Sequence, residues 1–467
     1  MKKLVAYLLI ASFIIGILAV SGCANIIPPG GGPRDTLPPI LVKASPPDST
    51  TNFPGGKIVL TFNEYVELNN PLENVIVSPV PRIDPYPEAH LRTITIRLKD
   101  TLEPNTTYSI NFGRAIRDIN EGNEMKDFTY IFSTGNHFDS LEFSGRVLIS
   151  ETGKPDSTLI VMLHTRLDDS AVAKENPRYY TRLDSSGHFT FRNLPSDTFR
   201  VYALKPEGGM KKYTTPQQLF AFADSPVVIS TSTRPIVLFA YSEPEEKKEP
   251  PSTTPSRSVT KGVQDKVLRI QTNLANGQLD LLSNLEIEFN GPIKTQDTTK
   301  ARFTNEVYEP VIPVHYLLDS TRKKLTVQTN WLPNRGYNLI VSKDFVEDSA
   351  GRKILRDDTL SFRTRNTSDY GSMRLRFTNL DLSTHPVLQF VQQGQLKYSH
   401  VFTSRTVNIR LFQPGEYELR ILYDENQNGK WDPGEFFEKH KQPEKVQPLQ
   451  RKLEIKPNWD SEVDITL

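Results

Sequence analysis

The run Asp424-Glu425-Asn426-Gln427-Asn428-Gly429-Lys430-Trp431-Asp432-Pro433-Gly434-Glu435 is the stretch whose residue types and spacing add up to ligand chemistry. It fits D-x-[DN]-x-[DN]-G-x5-E without exception, which places side-chain oxygen donors at positions 1, 3, 5, 9 and 12. A hard cation such as Ca²⁺ takes six to eight oxygens at about 2.4 Å. Asp424, Asn426, Asn428, Asp432, a bidentate Glu435 and the Lys430 carbonyl would supply them, with Gly429 making the turn. The same residues also make a well-bonded Asx-rich turn without metal. The equivalent stretch earlier in the chain, Leu204-Lys205-Pro206-Glu207-Gly208-Gly209, lacks the ligands and is expected to be metal-independent.

No other part of the sequence carries comparable chemistry. The eight histidines include no pair at metal spacing, and no nucleophile elbow, phosphate loop or HExxH occurs. His90, His188 and His400 read as surface or rim residues, and Trp431 as a packing residue rather than a sugar platform. The expectation is a protein with no catalytic residues. Lys plus Arg number 56 against 55 Asp plus Glu, so there is no basic excess to attract nucleic acid.

The elements around the loop are strands. Tyr417, Leu419, Ile421 and Tyr423 alternate just upstream, and Pro443 stops any long helix downstream, so the loop resembles an EF-hand only in its ligands. Period-two runs recur at Ile58, Leu60, Phe62, at Ile94, Ile96, Leu98, and at Leu285, Ile287, Phe289. With 35 Pro and 25 Gly interrupting any long helix, the fold class is all-β, built of tandem sandwiches.

Two of those sandwiches are copies of each other. Leu60-Thr61-Phe62-Asn63 matches Ile287-Glu288-Phe289-Asn290 at an offset of 227, and Asp118 and Phe132 match Asp348 and Phe362 at an offset of 230. Leu102-Glu103-Pro104-Asn105, Tyr108, Gly122 and Thr134 have counterparts in Leu332-Pro333-Asn334, Tyr337, Gly351 and Thr364. These landmarks resemble the bacterial Ig-like module named after the S-layer protein SbsA. The resemblance implies a β-sandwich scaffold over residues 40–136 (first A module) and 267–366 (second A module). The second copy departs from the pattern at Arg335-Gly336 and Arg352. The regions that follow, 137–241 and 367–467 (first and second B modules), resemble small prealbumin-like or carboxypeptidase-regulatory sandwiches, on Gly187-His188-Phe189-Thr190-Phe191 and Val407-Asn408-Ile409-Arg410-Leu411. The order is A-B, a Pro/Glu/Lys-rich linker over 242–266, then A-B, which reads as two arms.

The sole cysteine, Cys23, ends Val20-Ser21-Gly22-Cys23 behind an apolar segment that is a little short for a ~20-residue membrane span. This resembles the lipobox of bacterial lipoproteins, which implies a signal peptide over 1–22, lipidation at Cys23 and a Pro/Gly tether over 23–39. The expected setting is an outer membrane of Bacteroidota type, on the periplasmic face because Ala24-Asn25-Ile26-Ile27 carries no acidic run. Expected partners are the membrane through the lipid and an envelope protein complex or a glycan. A carbohydrate-binding accessory and a hydrolase with an unrecognised site stand as alternatives. Asp35-Thr36-Leu37, Asp100-Thr101-Leu102, Asp139-Ser140-Leu141, Asp169-Ser170-Ala171 and Asp358-Thr359-Leu360 resemble a periplasmic O-glycosylation motif, and turn chemistry uses the same pairs.

Overall fold

The computed structural model describes residues 34–243 and 267–467. Cys23, the leader, the tether up to residue 33 and the linker from residue 244 lie outside the described residues. The described residues divide into two compact units, the first within 1–141 with 192–195 and the second within 142–191 with 196–467.

Among the described residues nearly all of the regular secondary structure is strand, the helices being single short turns. In the first A module, a four-stranded sheet runs Leu41–Ser45, Lys57–Phe62, Thr93–Arg97, Glu88–His90, and a three-stranded sheet runs Ile76–Ser78, Thr107–Asn111, Thr129–Ser133. Alternation explains the packing: Ile58, Leu60 and Phe62 are buried while their neighbours are not, and they meet Ile94 and Ile96 across the ladder. The second A module repeats the plan. Its sheets run Ile270–Thr272, Leu285–Phe289, Lys324–Gln328, His315–Leu318 and Gln278–Leu279, Asp358–Thr364, Gly336–Val341, Ala301–Asn305.

The landmarks shared by the two copies are hydrogen-bonding devices. The Tyr108 hydroxyl accepts from Glu103 N at 2.9 Å, and the Tyr337 hydroxyl from Leu332 N at 3.1 Å. Thr134 Oγ1 donates to the Glu103 carbonyl at 2.6 Å, as Thr364 Oγ1 does to Leu332 at 2.5 Å. Asp118 is buried and accepts from the backbone of Glu121, Gly122 and Asn123 at 2.6, 3.1 and 2.7 Å. Asp348 accepts from Ala350 N and Arg352 N at 2.9 and 2.7 Å. In Asp348, Arg352 Nε takes the remaining oxygen at 2.6 Å, which is how the second copy accommodates arginine in place of asparagine. Burial pushes both carboxyls up, but the backbone donors, joined at Asp348 by the Arg352 guanidinium, outweigh it and hold them below the ordinary range.

Each B module pairs its first strand in parallel with its last, Leu141–Ile149 with Ile236–Ala240 and Gly371–Thr378 with Asp460–Thr466. A second sheet faces it, ordered Tyr179–Arg182, Ile160–His164, Thr198–Leu204, Phe220–Phe222 in the first B module. In the second B module that sheet is Gln395–Val401, Pro386–Gln392, Gly415–Tyr423, Lys445–Ile455. The loop from Asp424 leaves the central strand Gly415–Tyr423 and returns in Lys445–Ile455.

Candidate functional site

Asp424 follows directly on the buried strand, and only 1% of it is exposed. Its Oδ1 accepts from Asn428 N at 3.2 Å and its Oδ2 from Gly429 N at 2.6 Å. Gly429 has φ +76°, a left-handed conformation that suits glycine, so the turn and the carboxylate fix each other. Asn426 Oδ1 accepts from Asn428 N at 3.1 Å, and Asn428 Oδ1 from Lys430 N at 2.7 Å. Both asparagine amide nitrogens donate to Asp432 Oδ2 at 2.6 Å. Asp424, Asn426, Asn428 and Asp432 are therefore gathered as the spacing predicts.

Glu435 is not gathered with them. Its carboxylate pairs with Lys439 at 2.8 Å, its backbone forms a bridge to Lys441, and its charge bears on Tyr241 and Glu243. Glu444 is instead the glutamate hydrogen-bonded into the loop. Glu444 is 2% exposed, with Oε1 accepting from Glu425 N at 2.9 Å and Oε2 from Asp432 N at 3.0 Å, so it ties together the two ends of the loop. Burial raises its pKa, the charges of Asp424 and Asp432 add to this, and the two backbone donors oppose it. Sequence spacing missed Glu444 because chain return, not motif position, brings it there.

Among the described residues no three His, Cys, Asp or Glu side chains are arranged as a metal cluster. Two of the loop's donors are amides, and each presents its nitrogen to Asp432. Turning both amides would present oxygens instead, and the resulting set of carboxylate and amide oxygens suits a hard cation. Lys430 would contribute only its carbonyl. Trp431 donates its indole N–H to the Glu444 carbonyl at 2.8 Å and packs beside Val387, Leu422 and Val446, a packing role as its position suggests.

The segment beyond the loop does something the two-arm reading did not anticipate: it packs against the first B module. Phe436, 2% exposed, joins the core of that module, with its ring 4.9 Å from Phe222, 5.1 Å from Phe220 and 5.6 Å from Tyr202. A Cβ on Gly434 would lie 2.7 Å from Tyr241 Cζ, so only glycine allows this approach. Gln442 donates to the Phe222 carbonyl at 3.1 Å and to Asp224 at 2.7 Å, and His440 Nε2 meets Asp169 Oδ2 at 2.6 Å. Val446 N donates to the Ser150 carbonyl at 2.9 Å, and Lys154 pairs with Glu418 at 2.8 Å. The two B modules are thus joined through a glycine approach, an aromatic anchor and polar contacts around it.

His90 and His188 are exposed and His400 is half-buried. His164 is different: it is 2% exposed, its ring stands edge-on to Tyr202 at 5.6 Å, and its Nε2 has no partner. Burial pushes it down to about 4. Several of the Asp-Ser/Thr pairs carry turn chemistry, since Asp35 accepts from Leu37 N, Asp100 from Thr101 N and Asp358 from Thr359 N, each at 2.9 Å. Asp169 instead belongs to the contact with His440.

The bacterial Ig-like domain family matches residues 35–134 and 267–364. The two A modules are Ig-like β-sandwiches, within a chain that is almost all β. No curated protein matches the sequence. Among solved structures, the chain is similar to the Bacillus anthracis TIE protein at 12% identity, covering 94% of this chain and 75% of that one, with a TM-score of 0.17. It is similar to BcpA, the major pilin subunit of Bacillus cereus, at 10% identity over 70% of this chain and 99% of that one, TM-score 0.16. It is also similar to the N-terminal part of the bacterial S-layer protein SbsC at 14% identity, over 38% and 42% of the chains, TM-score 0.16.

Proposed function

We propose that the protein is a non-catalytic cell-envelope scaffold, lipidated at Cys23 and held at the periplasmic face of an outer membrane of Bacteroidota type. Its Ig-like modules would present surfaces to an envelope protein complex. The observation that carries this reading is the pair of Ig-like modules whose polar landmarks, Tyr108, Asp118, Thr134, Tyr337, Asp348 and Thr364, are engaged in holding turns. Ca²⁺ in the loop of Asp424, Asn426, Asn428, Asp432 and Glu444 would stiffen the stretch that carries Phe436.

A second reading, a carbohydrate-binding accessory, is favoured by Trp459, which is 62% exposed with the Lys456 ammonium 5.4 Å from its ring centroid. An exposed indole is a stacking surface for a sugar face. Mild crosslinking in cells followed by affinity capture separates the two readings. Recovery of a fixed set of envelope proteins, lost with Cys23→Ser, supports the scaffold; retention on a glycan column that is abolished by Trp459→Ala supports the accessory and overturns the scaffold.

A further inference from the structure

The core of the first B module is not closed by its own residues. Phe436 of the second B module completes the cluster of Tyr202, Tyr213, Phe220, Phe222 and Tyr241. Phe437 adds a ring contact to Tyr213 at 5.6 Å. These contacts join stretches of chain separated by an entire A module. The first B module's last described residue is Glu243, two residues after Tyr241, and the second A module begins at residue 267. The 23 residues between them (244–266) reach up to ~80 Å when extended.

The junction also leaves polar atoms without partners. The Tyr202 and Tyr241 hydroxyls and His164 Nε2 are buried with no hydrogen bond, and Tyr202 and Tyr241 are the two tyrosines against which Phe436 and Gly434 seat. Uncovered, those hydroxyls would be hydrated, so seating the segment has a desolvation cost that opposes its apolar gain. A junction of that kind opens and re-forms as a contact between domains does.

We propose that this face of the first B module is an exchange surface for a second copy of the chain. The second B module of one copy seats its Gly434–Gln442 segment in the groove of the other, and the reverse contact closes a two-fold dimer. Every contact named above is kept in the exchange, because each already lies between separate modules, which is the condition under which swapping has little cost. The balance is then set by copy concentration against the effective concentration that residues 244–266 impose within one chain.

The test uses residues 23–467 with Cys23→Ser, which removes the sole cysteine. One preparation carries Asp169→Cys, a second carries His440→Cys, and a third carries both; a short bismaleimide joins the two positions, whose native side chains are 2.6 Å apart. The doubly substituted chain is expected to cross-link within itself when dilute. The mixed single variants, equilibrated at rising concentration, are expected to give a cross-linked heterodimer with a dimeric mass by light scattering. Phe436→Ala in both copies should lower its yield at least tenfold. Internal cross-linking of the double variant with no heterodimer at any concentration overturns the proposal, and so does failure of the double variant to cross-link at all.

Discussion

Glu444 Oε2 accepts the backbone N–H of Asp432 at 3.0 Å, and through this bond the residue just before the returning strand clamps the loop that precedes it. The acid at the twelfth motif position, Glu435, is instead paired with Lys439.

If Ca²⁺ occupies the loop, Asp424→Ala and Glu444→Ala should each abolish its effect, and Glu435→Gln should not. The check is a melting curve with added Ca²⁺ and with chelator. At a hundredfold excess over Kd, binding is worth about 2.7 kcal/mol, and an upward shift of a few degrees is expected. A shift that survives Glu444→Ala but is lost with Glu435→Gln would restore the motif reading; no shift in the unsubstituted chain would remove the ion.

Phe436→Ala should destabilise the first B module by about 3–5 kcal/mol, the usual cost of emptying a buried phenylalanine site. Gly434→Ala should cost about 1–3 kcal/mol, because a Cβ there meets the Tyr241 ring and the Lys441 carbonyl, each at 2.7 Å. Chemical denaturation followed by tyrosine fluorescence measures both. A cost below 0.5 kcal/mol for each would mean that the segment rests on the module without completing it.

His164 predicts a pH dependence of definite sign. Its pKa is pushed down to about 4 from 6.5 by burial, with the Glu175 charge pulling weakly upward. The unfolded chain takes up the proton below pH 6.5 while the folded chain resists it until about pH 4. Stability is therefore fully present above pH 6.5 and falls by roughly 3 kcal/mol as the pH drops through that window. Against the wild type, His164→Leu should flatten the decline in unfolding free energy between pH 6.5 and 4, and an unchanged slope would contradict the assignment.

Asp118 should show its effect at lower pH. Its folded pKa is below the ordinary 3.8, so its stabilisation is present above that value and lost as the pH falls through the folded one. Asp118→Asn should cost about 3 kcal/mol at neutral pH by weakening three charge-assisted backbone bonds, and it should remove part of the acid limb below pH 4. The same substitution leaving the limb intact would show that the turn holds itself.

Much of this was legible in the sequence because it is local or periodic. Ile58, Leu60 and Phe62 announce their strand by alternation. Tyr108 with Thr134 and Tyr337 with Thr364 announce a shared device by their nearly constant offset. The gathering of Asp424, Asn426, Asn428 and Asp432 in one loop was legible because a tight turn forces neighbours in sequence to be neighbours in space. Glu444 was not, since it arrives just before the returning strand Lys445–Ile455, and neither was Phe436, whose partners belong to a module some two hundred residues earlier. His164 gave no signal because a continuous buried run, Ile160–His164, looks the same whether its last residue is hydrated or orphaned.

The fastening of the two B modules matters most to the proposed scaffold, since fastened modules can hold a surface in place. Hydrogen exchange on the whole chain, comparing wild type with Phe436→Ala and with Gln442→Ala, tests it most directly. Amides in Ile160–His164, Thr198–Leu204 and Phe220–Phe222 should lose protection at least tenfold, although Gln442 lies 220 residues beyond Phe222. Protection unchanged in those strands, with loss confined to 434–446, would contradict the account.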